Sequence, residues 1–94
     1  LAGKVEVVEA PGFEHAAIAA RAPFDLVFAN ILKGPLIALV GAMQVHIAPG
    51  GHAILSGILN DQADEVLGHY LAQGFNLELR DEIGDWTTLV LRRV

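Results

Sequence analysis

Two side chains combine useful chemistry with a telling place in the sequence. Asn30 closes the run Phe24-Asp25-Leu26-Val27-Phe28-Ala29-Asn30, and Trp86, the sole tryptophan, opens the last apolar segment. An amide both donates and accepts hydrogen bonds, and an indole face attracts cations, so together they suit a ligand with a cationic or methylated amine. Each also has a plainer use. Asn30 fits a turn residue that caps the segment after it, and Trp86 fits an apolar anchor for a terminal hairpin.

Other polar groups fit structural roles better. His15, His46, His52 and His69 share no metal-ligand spacing on one element, so no metal site is expected. Asp61, Asp64 and Glu65 fall together where a helix should begin, and carboxylates there favour the positive end of the helix dipole. Asp81-Glu82 reads as loop surface. Ser56-Gly57 lacks the glycine-x-serine-x-glycine context of a nucleophile and reads as a tight strand exit. No catalytic side chain is assigned.

These residues must be positioned by a small packed unit. The chain has 94 residues, 53% of them hydrophobic and 18% charged, which is enough for one compact domain and argues against disorder. Apolar residues come in short runs rather than one long span, so no membrane segment is expected. The sequence starts at Leu1 and has no basic, then long apolar, opening, which points to a piece of a longer protein without a signal peptide. Cysteine is absent, which is compatible with a cytoplasmic setting. A formal charge of -5 with six Lys and Arg residues argues against direct nucleic-acid binding, which needs a basic face.

Strand and helix signals alternate along the chain. Val5, Val7 and Val8 form a short β-branched run ended by Ala10-Pro11-Gly12, and residues 14–21 form an alanine-rich helix ended by Pro23. Phe24 to Asn30 reads as a strand buried on both faces. Gly34-Pro35 opens a helix with Leu36, Leu39, Val40, Met43 and Ile47 on one face, and Pro49-Gly50-Gly51 breaks it before a strand from His52 to Gly57. Asn60 or Asp61 caps the next helix, which carries Ala63, Val66, Leu67, Tyr70 and Leu71 on one stripe and stops at Gly74. Phe75, Leu77 and Leu79 then alternate with polar residues, and Gly84-Asp85 turns the chain into a final strand from Trp86 to Leu91. This order predicts an α/β fold, with a parallel sheet, helices on both faces and a terminal antiparallel hairpin. Ligands of such sheets sit at the carboxyl ends of the strands, which is where Ala10 to Gly12, Asn30 to Gly34, Ser56 to Asn60 and the last hairpin with Trp86 should gather.

The segments Asn30-Ile31-Leu32 with Gly34-Pro35-Leu36, Pro49-Gly50-Gly51, Leu55-Ser56-Gly57-Ile58-Leu59 and Gln62-Ala63 resemble, in order, the PrmA-type ribosomal protein methyltransferases, which methylate the large-subunit ribosomal protein L-eleven. The resemblance implies a Rossmann-like class I methyltransferase sheet using S-adenosyl-L-methionine. Residues 1–94 would supply its third to seventh strands, the carboxyl-terminal part of the catalytic domain. The glycine-rich cofactor loop and the acidic ribose-binding residue of the family have no counterpart here, since Gly50-Gly51 follows a helix and precedes a strand. Of the family's cofactor contacts only the asparagine after the fourth strand maps onto this sequence, at Asn30, and Trp86 looks like the family's aromatic near the acceptor amine.

Two functions follow as expectations. One is part of a protein N-methyltransferase acting on amino groups of a large-subunit ribosomal protein, with the isolated chain inactive. The other is a non-catalytic α/β module that assembles with another chain. In the class I order the two missing strands lie between the third and fourth. Three outcomes are open: Val5 to Val8 pairs directly with Phe24 to Asn30, a partner supplies strands, or the chain is cut from a longer molecule. An exposed apolar central strand would invite self-association.

Overall fold

The computed structural model describes residues 5–9, as a backbone strand, and residues 24–94. The helix expected over residues 14–21 and the turn at Ala10-Pro11-Gly12 lie outside them. In chain order the described elements are β1 (Val5–Glu9), β2 (Phe24–Asn30), α1 (Lys33–Ala38), α2 (Val40–His46), β3 (Ile47–Leu59), a 3-10 turn (Asn60–Gln62), α3 (Ala63–Ala72), β4 (Phe75–Ile83) and β5 (Trp86–Arg93). One sheet holds all five strands in the order β1-β2-β3-β5-β4. β1, β2 and β3 run parallel, and β5 lies antiparallel between β3 and β4.

β1 pairs directly with β2, with Val7 opposite Phe28 and Glu9 opposite Asn30. Of the three ways to close the sheet, this chain adopts the first. The backbone donors and acceptors of β2 are therefore met on both sides by strands of the same molecule.

Among the described residues the core lies on one face of the sheet. Val27 and Ala29 of β2, Ala53 and Leu55 of β3, and Leu89 and Leu91 of β5 are fully buried there against Leu36, Met43, Val66 and Tyr70 of the three described helices. On β2 the alternate residues Leu26 and Phe28 are half-buried rather than closed off, so the continuous apolar run does not give two equally buried faces.

Several boundaries differ from the sequence reading. The helix expected as one piece is two, broken at Leu39, whose N–H still reaches back to Pro35 O at 3.0 Å. Val40 and Gly41 follow directly, and both are weaker helix formers than the leucines and alanines around them. Ile47 is no helix residue. It begins β3 opposite Phe24, and the Pro49-Gly50-Gly51 segment belongs to an irregular stretch before His52 rejoins the ladder opposite Leu26.

α3 is not capped by Asn60 or Asp61. The Leu59 N–H instead donates to Gln62 Oε1 at 3.2 Å, while Asp64 and Glu65 occupy the first helical turn as expected. Both carboxylates reach other elements: Glu65 pairs with Lys33 at 3.1 Å and Asp64 with Arg80 at 2.6 Å. Arg80 also contacts Glu82 at 3.1 Å, so Asp81-Glu82 is exposed strand rather than loop. The Asp64 hydrogen bond, ahead of the Glu82 contact, holds the Arg80 guanidinium more firmly protonated. β4 is an edge strand: Phe75 is buried, but Leu77 and Leu79 are exposed despite their alternation. Charges along such an edge discourage pairing with other chains. Among the described residues no helix is long and apolar enough to cross a membrane.

Candidate functional site

The parallel strands set the location of the site. β2 ends at Asn30 and β3 at Leu59, so their carboxyl ends open on one edge of the sheet. The β4–β5 hairpin brings its turn to the same edge, because Leu59 pairs with Trp86 and Trp86 with Ile83. This is the edge at which open α/β sheets receive ligands.

Asn30 is exposed at the end of β2, opposite Ser56. It does not cap the helix that follows. The residue flanking α1 is Leu32, and no side chain caps that helix. The plainer reading of Asn30 as a capping residue is therefore not realised. Asn30 lies beside Gly57, which has φ +80, a conformation that L side chains rarely adopt. A Cβ on Gly57 would stand 2.8 Å from Asn30 Oδ1 and 3.0 Å from Ile31 O. Ser56-Gly57 is not a strand exit: Gly57 sits inside β3, at the register shift between Leu55 and Ile58, and its missing side chain lets β3 pass close to the end of β2. Gly57 was legible only as a small residue at a strand end.

Trp86 is 53% exposed, so it is not mainly a buried anchor for the hairpin. It is the middle member of a row across three strands, with Leu59 on one side and Ile83 on the other, both also exposed. Residues paired directly across strands point to the same face, so the row forms an apolar strip. Beside it, Leu59, Asn60, Asp61 and Asp85 line a shallow cleft. Asn30 and Trp86 share the edge without sharing a contact. Two strand spacings and three residue rises separate them, about 14 Å. That span suits two neighbouring subsites rather than one.

Asn60, expected only as a cap, is the most connected polar group here. Its N–H donates to Asp85 O at 2.9 Å and its Nδ2 to Gly84 O at 2.9 Å, while its Oδ1 accepts the Thr87 hydroxyl at 2.7 Å. The sequence offered no local signal for it, because the partners lie more than twenty residues away.

The described histidines, His46, His52 and His69, stay apart from this edge. His52 contacts Glu78 at 2.8 Å, and His46 and His69 sit in the last turns of α2 and α3. No group of His, Asp or Glu among the described residues is arranged to hold a metal ion.

Comparison with known proteins gives the family of the chain. The family model described as ribosomal protein L11 methyltransferase (PrmA) matches residues 4–94. The chain belongs to that family. Among curated PrmA relatives, ribosomal protein L11 methyltransferase of Chelativorans sp. (strain BNC1) is 48% identical over 89 residues, 95% of this chain and 31% of the relative. That of Bradyrhizobium diazoefficiens is 44% identical over 90 residues, 96% of this chain and 30% of the relative. The chain thus spans about 30% of the length of the PrmA relatives it matches.

Solved structures agree on the fold. A ribosomal protein L11 methylase from Lactobacillus delbrueckii subsp. bulgaricus superposes with a TM-score of 0.71 at 30% identity, covering 76% of this chain and 38% of that one. A methyltransferase from Pyrococcus furiosus gives 0.60 at 14% identity over 77% of this chain and 41% of its own, a likeness of fold alone. The α/β sheet of this PrmA chain is that of the class I methyltransferases.

Proposed function

We propose that residues 1–94 form the carboxyl-terminal part of the catalytic domain of a cytoplasmic S-adenosyl-L-methionine-dependent protein methyltransferase, which modifies amino groups of a large-subunit ribosomal protein. The observation that carries this reading is the PrmA match over residues 4–94, with Asn30 at the carboxyl end of β2 inside it.

S-adenosyl-L-methionine supplies, when bound, a methyl group on a sulfonium. The protein then needs to hold a neutral amine in line with that methyl group and away from water, which is mainly a matter of positioning. The β2 exit fits part of this task. The Asn30 amide is exposed beside the bare Gly57 backbone, so it can hydrogen-bond the cofactor or the acceptor amine. Trp86, with Leu59 and Ile83 in its row, offers a ring face to a cationic side chain and an apolar strip to its aliphatic stem. No nucleophile or general base is assigned to this chain. The described residues offer no glycine-rich loop for the rest of the cofactor, so the 94-residue chain alone should be inactive.

A second reading is a non-catalytic α/β module that assembles with another chain. The direct β1–β2 pairing supports the module half of this reading, because five strands close into one sheet without segments from a partner.

Calorimetric titration with S-adenosyl-L-methionine separates the two. It would be run on residues 1–94, on a longer form extended at the amino end, and on Asn30→Ala in the longer form. The methyltransferase reading expects binding by the longer form, weakened by the substitution. Absence of binding by either form would sink the cofactor assignment and favour the module.

A further inference from the structure

We infer that Asn60 is a positioning residue that holds the Gly84-Asp85 turn, and through it Trp86, against the end of β3. The inference rests on the reading of Trp86 as an acceptor contact, which it deepens. Gly84 has φ +59 and Asp85 has no positive φ, the pattern of a type II′ hairpin turn with glycine in its first central position. Such a turn closes the hairpin but does not by itself fix the tip relative to the neighbouring strand.

The β3–β5 ladder already pairs Leu59 with Trp86, and Asn60 adds a side-chain fixture to the turn itself. As the first residue past β3, it uses its backbone N–H and its side-chain Nδ2 on two successive carbonyls of the turn, Asp85 O and Gly84 O. Its Oδ1 accepts the hydroxyl of Thr87, which is fully buried one residue beyond Trp86. Trp86 is therefore bracketed in sequence by Asp85 and Thr87, both bonded to Asn60. The indole itself is 53% exposed and makes no ring contact among the described residues, so packing alone does not set its place. An amide suits this position better than a carboxylate, since one side chain must donate to a carbonyl and accept from a hydroxyl together, and a carboxylate only accepts.

Trp86 is the only tryptophan, so its fluorescence reads its surroundings directly in the 94-residue chain. Acrylamide quenching and anisotropy would be measured for the wild type, Asn60→Asp, Thr87→Val and the double variant Asn60→Ala/Thr87→Val. Asn60→Asp keeps the shape and the acceptor for Thr87, but a carboxylate cannot donate to Gly84 O. Quenching should rise about twofold at neutral pH and fall back toward the wild-type value as acidification protonates the new carboxyl, a change beyond any that the wild type shows with Asp61 and Asp85 in the same cleft. The double variant removes the buried hydroxyl together with its acceptor, so the fold is kept while Trp86 stays more quenched and less anisotropic than in Thr87→Val alone.

In the longer, cofactor-binding form, Asn60→Asp should raise the KM for the protein acceptor several-fold at unchanged cofactor affinity. Wild-type quenching and anisotropy in both folded variants would overturn the inference, as would an unchanged acceptor KM. The fluorescence outcome is independent of methyl transfer, so failure of the cofactor titration and failure of this proposal remain distinct.

Discussion

The buried hydroxyl of Tyr70 donates to the backbone carbonyl of Leu36 at 2.7 Å, joining α3 to a carbonyl near the end of α1. Short helices leave their last carbonyls without partners inside the helix, and a buried carbonyl of this kind needs a donor. Tyr70→Phe removes the donor while keeping the ring and its edge-on contact with Phe75 at 5.5 Å. The variant is expected to lose about 1–2 kcal/mol in urea unfolding.

The same hydroxyl makes the fold sensitive to alkali. Burial pushes the Tyr70 phenol well above its ordinary value, so the native state holds this proton more tightly than the unfolded chain does. Its contribution is complete below about pH 10, the ordinary tyrosine value, and declines as pH rises further. Tyr70 is the only tyrosine, so tyrosinate absorbance should appear together with unfolding rather than before it. Unfolding midpoints measured across alkaline pH should fall less steeply for Tyr70→Phe.

Gly57 and Gly74 both have positive φ, but only Gly57 has neighbours where a side chain would go. Gly74→Ala should cost only the left-handed conformation, about 1–2 kcal/mol. Gly57→Ala adds a collision with Asn30 Oδ1 and Ile31 O, and it should be the more destabilising by at least about 1 kcal/mol. Thermal unfolding of the pair isolates the collision. Equal losses would mean that the end of β2 and the Gly57 segment of β3 yield easily.

How far the sequence could be read depended on the range of the forces involved. β2 was placed to the residue, because an apolar run bounded by polar groups reports its own burial. The hairpin turn followed from Gly84-Asp85, and the stop of α3 from Gly74. The break at Leu39 and the early start of β3 were not legible, since tertiary pairing of Ile47 with Phe24 overrides the local helical spacing. Alternation of Leu77 and Leu79 correctly gave a strand, yet it could not say that the strand would be an edge. Asn30 and Trp86 were found through their places at strand ends, whereas Asn60 was misread as a cap because its partners are remote in sequence.

The edge position of β4 gives a sharp contrast with the centre. Leu55 on β3 is fully buried between β2 and β5, while Leu79 is 56% exposed. Leu55→Ala should cost about 2–5 kcal/mol, the usual range for a buried leucine that leaves a cavity. Leu79→Ala should stay within about 0.5 kcal/mol, as substitutions outside the core do. Urea midpoints of the two variants test whether the core sits on the face that carries α1, α2 and α3.

Trp86 is the side chain whose loss should separate binding from folding. Because it is half-exposed and next to the turn, Trp86→Ala should change unfolding free energy by less than about 1 kcal/mol. A partly exposed indole attracts a cation by about 0.5–1 kcal/mol, and the lost apolar surface adds a similar amount. Those contributions together correspond to a rise of about fivefold to thirtyfold in the acceptor KM of the longer form. Trp86→Phe keeps a smaller ring and should fall between the two. Cofactor affinity should be unchanged in both, since Asn30 lies in a separate subsite, two strands away. Steady-state kinetics with varied acceptor, alongside cofactor calorimetry, checks the split; a parallel loss of cofactor affinity would place Trp86 in the cofactor subsite instead.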